Sequence, residues 1–117
     1  MMHKYIITGK SSSDFAAAML NKPQDRLKII QPFLDAFGIK KHEFLFTTGL
    51  ENDFLGVLSS DSDETIEAMV RIVFASGNFS NISWSRAYES SEYMKVFELG
   101  SKKMADYVTS MQVAEID

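Results

Sequence analysis

At 117 residues, 45% of them hydrophobic, the chain is long enough to enclose one apolar core and too short for two. Its 12 basic residues against 16 acidic ones leave a formal charge of -4 with no basic run, which disfavours a nucleic-acid partner, and the lack of cysteine excludes disulfides, thiolate catalysis and cysteine-held metal. No apolar run has the length of a membrane span, and Met1-Met2-His3-Lys4 leads directly into an alternating pattern and not a secretory leader, so the expectation is a soluble cytoplasmic protein with no membrane partner.

Tyr5, Ile6 and Ile7 bring aromatic and β-branched character, and Gly9 with Ser11-Ser12-Ser13 supplies turn chemistry, which predicts a first strand over Tyr5–Thr8. Ser13 or Asp14 is placed to cap a short alanine-rich helix over Phe15–Leu20. Asn21 as a cap with Pro23 in the first turn opens a longer helix, where Leu27, Ile30, Leu34 and Phe37 share one side. Pro32 removes a backbone hydrogen bond inside that stripe and predicts a kink or a restart, and Gly38 closes the element as a left-handed residue.

A second strand is predicted over Phe44–Thr47. Lys41 to Thr48 alternates imperfectly, with His42, Phe44, Phe46 and Thr48 on one side and Glu43, Leu45 and Thr47 on the other, both sides partly apolar, a pattern typical of a strand covered on both faces. The turn Gly49-Leu50-Glu51-Asn52-Asp53 leads into a third strand, Phe54–Leu58, as an antiparallel hairpin. Asp61 with Glu64 three residues on marks a helix start, Ile66, Met69, Val70, Val73 and Phe74 form its apolar stripe, and Gly77 ends it. In the fourth strand, Ile82–Tyr88, the side chains of Ile82, Trp84, Arg86 and Tyr88 point one way. Ser90 or Ser91 with Glu92 opens a last helix over residues 91–112, striped by Tyr93, Phe97, Gly100, Met104 and Tyr107.

The order is β-α-β-β-α-β with an added C-terminal helix, an α+β plan for a single domain over 1–117, with a core at 4–90. Helices on one face of a single sheet leave the other face to be covered. With Phe44, Phe46 and Trp84 assigned to it, at about 25 cal/mol per Å² of apolar surface, the expected cover is a second copy of the chain.

Tyr5-Ile6-Ile7-Thr8-Gly9, Arg26 through Phe37-Gly38, Gly49-Leu50-Glu51-Asn52-Asp53 and Ala75-Ser76-Gly77-Asn78 together resemble the GYD-domain family of small prokaryotic proteins over roughly residues 4 to 98. Gly49 and Asp53 fill the outer positions of that family's Gly-x-Tyr-Asp-like turn, with one additional residue between them and Asn52 where the tyrosine would stand. The resemblance implies a ferredoxin-like fold of the dimeric α/β-barrel type, two sheets facing each other across a dyad. It implies no particular reaction.

Several residues suggest chemistry, each beside a plainer role. His42 has the titration range of a general acid or base, yet after Lys40-Lys41 it also fits a solvated strand edge. His3 and His42 with Glu51 or Asp53 lack the spacing of a metal site, and no metal or cofactor is expected. Glu51 and Asp53 suit acid–base division, or else the fixing of a turn. Trp84, Arg86 and Tyr88 suit a cleft for a planar or anionic ligand, or else sheet packing with an ion pair.

No nucleophile elbow, phosphate loop or dinucleotide fingerprint is present. The leading expectation is a homodimer holding a small apolar or aromatic molecule in or near the barrel interior, with His42, Trp84, Arg86 and Tyr88 as ligand-binding candidates. One alternative is a small cofactor-independent enzyme of the monooxygenase-like barrel class. The other is a protein-interaction module using the C-terminal helix, whose partner surface the 7 methionines would suit.

Overall fold

The computed structural model describes residues 2–49 and 51–115. Its elements in chain order are β1 (His3–Ser11), α1 (Ser13–Asn21), α2 (Arg26–Ala36), β2 (Lys40–Phe46), β3 (Phe54–Ser60), α3 (Asp63–Ala75), β4 (Phe79–Ala87), α4 (Ser90–Ser101), a 3-10 turn at Met104–Asp106, and α5 (Ser110–Val113). The strands form one antiparallel sheet in the order β2-β3-β1-β4, which is compatible with a ferredoxin-like plan. The chain divides into two compact units, Met1–Ala87 and Tyr88–Asp117.

In the first unit the core lies between the sheet and helices α2 and α3. Tyr5 and Ile7 of β1, Phe54 and Leu58 of β3, Leu34 of α2, and Ile66, Met69 and Val70 of α3 are buried together. Register explains why: Tyr5 stands opposite Leu58 and Arg86, Ile7 opposite Gly56 and Trp84, and Gly9 opposite Phe54 and Ile82. Those residues therefore share the face covered by the helices. Gly9 is required there, since a Cβ would stand 2.8 Å from Phe79 Cδ1 and 3.1 Å from the Asn81 carbonyl oxygen.

This register corrects the expectation that Phe44, Phe46 and Trp84 lie on a face left for a second subunit. Phe44 pairs with Gly56 and Phe46 with Phe54, and Phe44 and Trp84 pack against the chain's own core. The opposite face carries Ile6, Thr8, Leu55, Val57 and Leu45, through the pairs Ile6–Val57, Thr8–Leu55 and Leu45–Leu55.

The caps also fall differently. Ser62, not Asp61, caps α3 by accepting from the Thr65 amide, which frees Asp63 for the Tyr5 phenol. Asp25, not Asn21, caps α2, which starts at Arg26 and continues through Pro32. Ser12 caps α1. Gly38 and Gly77 take φ of +66° and +83°, the left-handed conformation expected of them at helix ends.

In the second unit, Glu89 and Glu92 make a reciprocal capping box at the start of α4, and Tyr88, Tyr93 and Phe97 form an aromatic ladder with centroid spacings of 5.8 and 5.2 Å. The continuous helix expected over 91–112 is not formed. α4 stops at Ser101, where Gly100 weakens the helix and the Ser101 hydroxyl donates back to the Glu98 carbonyl, and the chain proceeds through the 3-10 turn to α5.

Candidate functional site

A cleft of about 230 Å³ opens between the helix-covered face of the sheet and α1, α2 and α3. Its floor is Phe44, Phe46, Phe54 and Phe79 from the strands, in edge-to-face or tilted contact at centroid distances of 4.9 to 5.8 Å. Phe15 of α1 stacks over Phe46 at 5.9 Å and over Phe79 at 6.5 Å. α2 contributes Ile30, Phe33 and Leu34, and α3 contributes Met69, Ile72 and Val73. Six of the chain's nine phenylalanines thus line one cleft, which favours a flat, apolar occupant.

The polar part of the lining is small. Arg26 begins α2, while Ser76 and Asn78 stand where α3 ends and β4 begins. Arg26 is half-buried, and its Nη1 donates to Gln24 Oε1 at 2.7 Å. Ser76 is occupied with its own helix end, its hydroxyl donating to the Val73 carbonyl oxygen at 2.5 Å. Asn78 is half-buried, with its backbone carbonyl accepting from the Ser12 amide. Among the described residues the lining has no histidine or carboxylate.

The residues singled out from the sequence lie elsewhere. His42 is on edge strand β2, where a bulge between Lys41 and Glu43 breaks the alternation, and its Nε2 shares a 2.5 Å hydrogen bond with Ser59 Oγ. Trp84 and Arg86 are on β4, the strand at the other edge of the sheet. Trp84 packs edge-on against Tyr5 at 5.6 Å and donates from Nε1 to Glu67 Oε1 at 2.9 Å. That bond, with support from Arg71, holds the Glu67 carboxyl below the usual range. Arg86 Nη2 shares a 2.7 Å hydrogen bond with His3 Nδ1. The structure therefore does not gather His42, Trp84 and Arg86 into one site, and Tyr88 belongs to the second unit, in its ring ladder.

Of the turn residues, Gly49 takes φ of +69°, Glu51 is exposed and Leu50 lies outside the described residues. Asp53 is a clamp: its carboxylate accepts from the Ser11 amide at 2.8 Å and from the Ser11 hydroxyl at 2.5 Å, and its own amide donates to the Gly9 carbonyl. Burial pushes this carboxyl up, but the bonds from Ser11 and the nearby Lys10 charge outweigh it and hold the group below its ordinary value. His3 pairs with Ser60 at one end of the β1–β3 ladder, and Asp53 sits by Gly9 at the other. Among the described residues no three histidine, aspartate or glutamate side chains are grouped to hold a metal ion, and no helix is long and apolar enough to cross a membrane.

No family model matches the chain, and no curated protein matches it.

Sequence reasoning missed Arg26, Phe15 and Asn78 as lining residues. Arg26 puts a positive charge in the first turn of α2, against the favoured polarity, but it shares that turn with Lys28 and follows the Asp25 cap, so the pattern alone does not single it out.

Proposed function

We propose that this protein binds a small apolar or aromatic molecule in the phenylalanine-lined cleft beneath α1, α2 and α3. The observation that carries this reading is a cleft of about 230 Å³ walled by six phenylalanines. Apolar cavities of about 150 Å³ already accept a benzene-sized guest, so a single ring with a short substituent fits the space. Ligand-observed NMR with toluene and indole is the direct test. Saturable binding of either probe, abolished by Val73→Phe, which fills the cleft from α3, is expected; failure of both probes to bind the unaltered protein overturns the reading.

Self-association through the other sheet face is a second part of this proposal, and with it the dimeric barrel arrangement and the kinship to the GYD-domain family. Its support is the patch of Ile6, Leu45, Leu55 and Val57, in which Ile6 is 38% and Leu45 45% exposed. Sedimentation at micromolar concentration should give a dimer that Ile6→Glu converts to a monomer. A monomeric unaltered protein removes this part and leaves the cleft untouched.

A further inference from the structure

We infer that the occupant of the cleft is an anion, an aryl or short acyl carboxylate whose apolar body lies among the phenylalanines and whose carboxylate meets the Arg26 guanidinium. The inference rests on the binding function proposed above and specifies its substrate class. Arg26 is the one charged residue of the lining, and no carboxylate of the described residues pairs with it. Its bond to Gln24 uses Nη1 and sets the direction of the planar group, leaving further donors for a forked contact with two carboxylate oxygens.

Its position sharpens the case. A guanidinium half-buried beside apolar walls loses part of its hydration, while the Asp25 carboxylate is engaged at the helix start with the Lys28 amide. An anionic guest offsets that lost hydration, whereas a neutral guest does not. Asn78, half-buried on the same lining, is a neutral residue that sets no negative charge against a carboxylate. Size points the same way, since about 230 Å³ holds one ring with a short acid arm but not a long acyl chain.

The test compares phenylacetate with phenylacetamide, which share a shape and differ in charge, by titration calorimetry on the full chain. Phenylacetate is expected to bind at least tenfold more tightly. Arg26→Gln should bring the two dissociation constants within about twofold of each other, and Arg26→Lys should keep part of the preference. Equal affinities in the unaltered protein overturn the inference while sparing the cleft as an apolar site, and so does a preference that survives Arg26→Gln. If neither compound binds and toluene and indole also fail, the cleft itself is not a binding site and both readings fall.

Discussion

Tyr5 and Asp63, 58 positions apart, join the central strand to the first turn of α3: the phenol donates to Asp63 Oδ1 at 2.5 Å while its ring is wholly buried. Burial first, then the hydrogen bond and charge of Asp63, push the Tyr5 phenol up to about 12. The folded chain thus keeps a proton that the unfolded chain releases near pH 10, so the associated stability is present below pH 10 and is lost as pH rises toward 12. Absorbance at the phenolate band should show one tyrosine that ionises only as the protein unfolds, and Tyr5→Phe should remove that late step at a cost of about 1 kcal/mol. An unaltered late step in the variant assigns it to another tyrosine.

Asp53 gives the opposite pH dependence. Its folded-state carboxyl lies below the ordinary range, so its contribution is present above about pH 4 and fades as pH falls through the lowered value. Asp53→Asn should destabilise the fold by about 1–2 kcal/mol at pH 7 in urea titrations, with the gap to the unaltered protein closing below pH 4. A gap that is constant with pH would mean that the Ser11 bonds do not depend on the charge.

Gly9→Ala tests the floor of the cleft. The added methyl meets Phe79 on one side and the Asn81 backbone on the other, and the backbone cannot yield as a side chain can. Thermal unfolding should show a loss of about 1–3 kcal/mol, with weaker binding of toluene because Phe79 is displaced into the cleft. An unchanged melting temperature would show that the strands separate freely at this point.

Phe15→Ala tests the cover. Phe15 is half-buried and touches Phe46 and Phe79, while α1 has no buried residue. Removing its ring should cost about 1–2 kcal/mol and speed amide exchange in α1 well above that in α3, which holds Ile66, Met69 and Val70 in the core. Equal acceleration in both helices would place α1 within the cooperative core.

The elements that bury side chains were legible from periodicity: Tyr5–Ile7, the Leu34 stripe and the Ile66–Val70 stripe all lie where alternation and helical spacing put them. What alternation could not supply was the sign of each face. Alternation places Phe44 and Trp84 on faces with other large side chains, but which face α2 and α3 cover depends on register, and the bulge at His42 is invisible to a strict period of two. The cleft was illegible for a related reason: Phe15, Arg26 and Phe79 come from three elements and converge only through strand order. Arg26 is a cation at the start of its helix, but so is Lys28, which does not line the cleft.

The thin attachment of α1 has a kinetic consequence. This nine-residue segment has no fully buried residue; Phe15 and Met19 are half-buried, and Ser12 bonds to Asn78 and Gly77 at its start, far less than holds the sheet together. For the binding function proposed above, this makes α1 the element whose release would let a guest leave, so its exit should follow the opening of α1 and not unfolding of the whole domain.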